Sequence, residues 1–136
     1  MHSILRSIGA VLAGAIAGIA LSLGTDALMH ALHLFPPVGQ PMTDSRLLAL
    51  ATVYRTIYGV IGAYVTAWLA PSRPMLHAFI LGTLGELAAI AGVIATWNDV
   101  DKYGPHWYPI ALVILALPPA LLGAWFYEKR TQAHAR

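Results

Sequence analysis

Residues 47–97 read LLALATVYRTIYGVIGAYVTAWLAPSRPMLHAFILGTLGELAAIAGVIATW. Two apolar runs, 47–70 and 75–97, flank the break Pro71-Ser72-Arg73-Pro74. Each run is close to the roughly 20 residues that a helix needs to cross the hydrocarbon of a bilayer. Neither alternates as a barrel strand would, and an open sheet in lipid would leave backbone groups unpaired. The prolines interrupt helix because proline lacks the amide donor and clashes with the preceding turn. So short a connection predicts two antiparallel neighbours.

Outward from this pair, two further apolar runs cover 4–29 and 107–127. The linker between the first and second runs holds Pro36, Pro37 and Pro41, and Asn98 to Gly104 is the most polar loop. Pro105 suits the first turn of the last helix, and Pro118-Pro119 should kink it. The expected fold is all-α: one domain over 1–136, an integral membrane four-helix bundle of antiparallel up-down topology. Composition agrees. The chain is 58% hydrophobic and 10% charged, against about 25% charged in soluble domains, so lipid must replace water over most of its surface. A cleaved signal peptide is the other reading of the first run, but 8–23 is long for an h-region and no clear small-x-small cleavage site precedes a polar start.

Arg6, Arg73, Lys129, Arg130 and Arg136 fall on one side of this arrangement. Arg46 and Lys102, beside Asp44, Asp99 and Asp101, fall on the other. The positive-inside rule then predicts a multi-pass protein of the inner membrane with both termini cytoplasmic. Basic residues near helix ends and a net charge of +2 argue against nucleic acid as a partner. The expected partners are the bilayer and a homo-oligomer or larger membrane complex. Without cysteine, a disulfide, a thiolate metal site and a cysteine nucleophile are excluded.

Small residues recur along three runs: Ala10, Gly14, Gly18 and Ser22; Thr52, Gly59, Gly62 and Thr66; Gly82, Gly85, Ala89, Gly92 and Thr96. Such spacing lets helix backbones approach closely in lipid, within one chain or between copies. Arg55 shares the second stripe and should point into the bundle.

Arg55 and Glu86 lie deep inside their runs, where a charge costs about 2.5–3.5 kcal/mol on insertion scales and so needs a partner. Arg55 is 16 residues before Pro71 and Glu86 is 12 after Pro74. At about 1.5 Å per residue their depths differ by roughly 6 Å, within reach of an extended arginine. An Arg55–Glu86 pair would be structural, or would serve a proton- or ion-coupled transporter or channel. A second candidate is Asp26 with His30 and His33. Asp26 and His30 are four apart and share a helix face, so both could ligate one metal ion. His33 lies about 10.5 Å along the axis from Asp26, so a site would need Asp99, Asp101 or His106. The bland alternative is a solvated helix end. His30 or His33 with His106 would also suit b-type haem. No catalytic motif is present, and the chain reads as a non-enzyme without a cofactor.

Tyr54-Arg55-Thr56, Gly62-Ala63-Tyr64, the run from Leu69 to Met75 with His77-Ala78, Trp107-Tyr108-Pro109 and Ala116-Leu117-Pro118 resemble a family of small four-helix bacterial membrane proteins with no assigned activity. The likeness spans 46–123. It implies a four-span membrane protein, with a small or apolar residue usual where Glu86 stands. The small multidrug transporters share this size and span count, but their membrane glutamate lies in the first helix, where this chain has none. The leading expectation is a non-enzymatic accessory or structural subunit, with the transporter and the metal- or haem-binding protein as alternatives.

Overall fold

A helix in lipid chooses its neighbours by shape, because its apolar side chains gain little by leaving one hydrocarbon for another. In a computed structural model, which describes residues 1–135, the small-residue stripes make that choice. Arg136, counted above among the basic residues, lies outside the described residues. The elements are α1 (His2–Ala31), α2 (Ser45–Leu69), α3 (Pro74–Thr96), the single turn α4 (Val100–Tyr103), α5 (Trp107–Ile114) and α6 (Leu117–His134). No strand occurs among the described residues. Four helices are long and apolar enough to cross a membrane: α1, α2, α3 and the stretch Trp107–His134 made of α5 and α6.

The ends follow from local chemistry. Asp44 caps α2 by accepting the Arg46 amide at 2.8 Å, which satisfies one of the free donors of the first turn. Arg73 precedes α3 in the left-handed region (φ 45°). Pro74 follows at the first helical position, where its missing donor costs nothing. The kink expected at Pro118-Pro119 is a full break. The helix stops at Ile114 and restarts at Leu117, and Ala116 donates instead to the Val113 carbonyl in a tighter turn.

The α1 and α2 stripes meet face to face. Thr66 Oγ1 donates to the Ala10 carbonyl at 3.0 Å, Gly14 lies against Gly62, and Gly18 lies against the Tyr58 carbonyl. Partner numbers fall as α1 numbers rise, so the two helices run in opposite senses along this contact. A Cβ built at Gly62 would sit 2.6 Å from the Gly14 carbonyl, so only glycine permits this approach.

α6 packs on the other side of α2. Gly59 faces Pro119, Gly123 lies on the Val60 carbonyl, and the Tyr64 and Tyr127 rings meet edge to face. Here the numbers rise together, so α2 and α6 run in the same sense. Gly82 of α3 lies on Leu117 and Ala120. The core between these three helices is alanine: Ala63, Ala67, Ala78, Ala120 and Ala124. A second buried group, Phe35, Ala51 and Tyr54, sits where the chain folds back after α1, with Met29, Met42, Leu47, Tyr58 and Tyr108 packed around it.

Candidate functional site

Arg55 extends from α2 toward α1 because it lies seven residues, two helical turns, before Gly62 and so shares the face that meets α1. Asp26 waits there, five residues before the end of α1. Arg55 Nη2 donates to Asp26 Oδ2 at 2.6 Å. The Tyr54 hydroxyl donates to Asp26 Oδ1. One carboxylate thus accepts from two neighbouring residues of α2, and both of its oxygens are used. Charge-assisted bonds of this kind are stronger than neutral ones. One turn further along α2, the Tyr58 hydroxyl is paired with Thr25 Oγ1 at 2.7 Å. Tyr108 of α5 packs on the same group. The ion pair is partly enclosed: side-chain exposure is 34% for Arg55 and 20% for Asp26. Arg55 Nε is buried and has no hydrogen-bond partner.

The expected pairing of Arg55 with Glu86 is therefore corrected. Asp26 holds the guanidinium, and Glu86 makes no hydrogen bond or ion pair among the described residues. Arg55 and Glu86 lie at similar depths by residue count, but depth does not fix where either side chain sits around its helix. Glu86 follows Gly82 by one turn, and Gly82 faces α6 rather than Arg55. Arg55 does lie inward on its small-residue stripe, as expected.

The metal site expected from Asp26, His30 and His33 does not assemble. Asp26 is committed to Tyr54 and Arg55. His30 Nδ1 donates to the Pro36 carbonyl at 2.8 Å and its ring stands edge-on to Phe35. α1 ends at Ala31, and His33 lies exposed beyond it in the left-handed region (φ 59°). His106 stacks on Trp97 with ring centroids 3.7 Å apart and donates through Nε2 to the Trp97 carbonyl. Among the described residues no three His, Asp or Glu side chains converge on a point where a metal ion could sit.

In the sequence Asp26 groups with His30 and His33, whereas the structure sets it against Tyr54 and Arg55. Asp26 is the lone acid of the apolar run 4–29, a signal that could have paired it with Arg55, the lone base of the run 47–70. The 13-residue connection between those helices, unlike the four-residue turn before α3, gave no depth register for matching them.

A cavity of about 580 Å³ opens beside this cluster, bounded by α1, α2, α3 and the fourth span. Its wall is almost wholly apolar, and Arg55 stands at one end. No family model matches the chain, and neither does any curated protein or any solved structure.

Proposed function

We propose that the chain is a multi-pass protein of the inner membrane, a bundle of four spans in up-down order with both termini cytoplasmic. In this reading it serves as a non-enzymatic accessory or structural subunit. The observation that carries the subunit role is Glu86. It is an acid in the middle of α3, a helix whose Leu84, Leu87, Ile90 and Ile94 are exposed, and it has no partner within the described chain. An intramembrane carboxylate is costly unless paired or hydrogen-bonded. A donor on a neighbouring membrane protein, or on a second copy, meets that need. The exposed apolar residues along α1 and α3 support integration in lipid, since a soluble monomer does not carry contiguous patches of this extent.

The resemblance to the four-helix bacterial family points the same way. It also implies that the contact through Glu86 is particular to this chain, because small or apolar residues are usual there. A transport mechanism built on Arg55 and Glu86 would need the two to meet, and Arg55 is held by Asp26. Purification from native membranes in mild detergent tests the subunit reading. The wild type should run as a particle larger than a monomer, and Glu86→Leu should release the monomer with its helical content intact. A wild type that is monomeric throughout, or a particle unchanged by Glu86→Leu, refutes it.

A further inference from the structure

Charge is unbalanced at the end of the bundle where α1 and α3 begin and α2 and α6 finish. Arg6, Arg73, Lys129 and Arg130 gather there against one acidic side chain, Glu128. Helix dipoles do not offset the excess, because two helices begin and two end at this level. A second cavity, of about 610 Å³, opens here between α2 and α6. Tyr64, Val65 and Trp68 of α2 line it together with Tyr127, Arg130 and His134 of α6.

Arg130 Nη1 donates to the Tyr64 hydroxyl at 2.8 Å, and Tyr127 braces that phenol ring edge to face. A hydroxyl fixes the guanidinium without cancelling its charge. Glu128 lies two residues away, about 200° around the helix. It makes no ion pair, since Arg55–Asp26 is the only one among the described residues. The Thr131 hydroxyl already donates to the Tyr127 carbonyl. The donors left for a guest are the guanidinium and the imidazole of His134, one turn on along the same face. Arg55 differs in this respect, because Asp26 neutralises it.

An apolar row leads away from the cavity along α2. Trp68, Ile61 and Ile57 are exposed, and spacings of seven and four put them on one face. The row is about 16 Å long, roughly half of the ~30 Å hydrocarbon core and so the depth of one leaflet. A guest that satisfies both features has an anionic head and an acyl tail. The cavity volume suits a whole polar head, where a lone carboxylate would leave most of it empty. We propose that it holds the head of an anionic phospholipid. The phosphate accepts from Arg130 and His134, and one acyl chain lies along Ile61 and Ile57. Such lipids populate the cytoplasmic leaflet, which this end meets in the orientation proposed above. The inference rests on the membrane-spanning part of that reading and not on the Glu86 contact.

The full chain, purified in mild detergent, is titrated with phosphatidylglycerol, and retained lipid is counted by native mass spectrometry. One lipid per chain should be held, at least tenfold more tightly than phosphatidylcholine of the same chains. Arg130→Gln should abolish that preference. Lys129→Gln deletes the same charge one residue away, where the ammonium lies over the Trp125 ring at 5.5 Å and outside the cavity. It should weaken binding less than threefold. Both side chains are exposed, and circular dichroism and elution volume should match wild type. Equal losses in the two variants mean attraction to surface charge without a site, and overturn the proposal. A wild type without the preference does so as well. Equally effective displacement by equimolar inorganic phosphate would mark a free-anion site, and by oleate a carboxylate site; either result overturns the lipid assignment. Glu86→Leu should leave phosphatidylglycerol binding unchanged whatever it does to particle size. Release of the chain from membranes by alkaline carbonate would refute the membrane reading and this site together, whereas a carbonate-resistant chain with no phosphatidylglycerol preference refutes the site alone.

Discussion

Removing the charge of Asp26 should harm the protein more than removing any other single side chain of its cluster. In Asp26→Leu, Arg55 loses its only ion pair and the Tyr54 hydroxyl loses its acceptor. Breaking a fully buried pair costs about 3–5 kcal/mol, while a solvent-exposed pair is worth about 0.2–1 kcal/mol. The pair here is partly enclosed, 34% and 20% exposed, which places the charge loss near 2–3 kcal/mol between those limits. The orphaned hydroxyl adds about 1 kcal/mol. Arg55→Leu should cost less, because Asp26 keeps the Tyr54 donor, and Tyr54→Phe should cost only about 1 kcal/mol.

The double variant Asp26→Leu/Arg55→Leu leaves no orphan charge and should be more stable than Asp26→Leu alone. Equilibrium unfolding in mixed detergent micelles, followed by tryptophan fluorescence, gives all four values. A coupling energy of at least about 1 kcal/mol is expected for residues in direct contact. Strictly additive losses would refute the pairing. A cycle of the same design with Glu86→Leu and Arg55→Leu should show no coupling.

Three further outcomes are expected. Gly14→Ala would drive a methyl into Thr66 Oγ1 and the Gly62 carbonyl, so it should destabilise the α1–α2 contact by about 1–3 kcal/mol. Gly24→Ala, with nothing within 4 Å, should be neutral or stabilising by up to about 1 kcal/mol in the same unfolding assay. Single cysteines at Ser3, Ser72 and Asn98, treated with an impermeant thiol reagent on intact cells, should react only at Asn98. Labelling at Ser72 instead would reverse the orientation.

Much of the fold is legible in the sequence because lipid imposes a length and a composition on each span. The runs at 47–70 and 75–97 differ by at most two residues at either end from α2 and α3. The stripe Ala10, Gly14, Gly18 reads directly as a close-packing face, and in the structure that face meets α2. The site was less legible, since spacing along a helix gives depth and face but not the neighbour across the gap. Arg55 needed an acid, and the first and third spans each hold one. The choice fell to the close glycine contact of α1 with α2, a pairwise property of two distant segments. Pro118-Pro119 likewise announced a disturbance, but the separation into α5 and α6 depends on how each half packs.

That separation has a mechanical consequence. Pro118 and Pro119 have no N–H to offer the carbonyls four residues earlier, on Ile114 and Leu115. The fourth span therefore lacks two consecutive rungs of its hydrogen-bond ladder, and its bending stiffness drops at that level. α6 is fastened to α2 through Gly123 and through the Arg130–Tyr64 bond of 2.8 Å. α5, about 12 Å long, is held separately, with Tyr108 packed on the Tyr54 group and Trp107 Nε1 donating to Ser45 Oγ at 3.3 Å. Leu115 and Ala116, at the break, line the cavity beside Arg55. The two halves of the fourth span are thus anchored to different groups with a soft joint between them, so amide exchange should be fastest in the fourth span at Leu117 and the residues just before it.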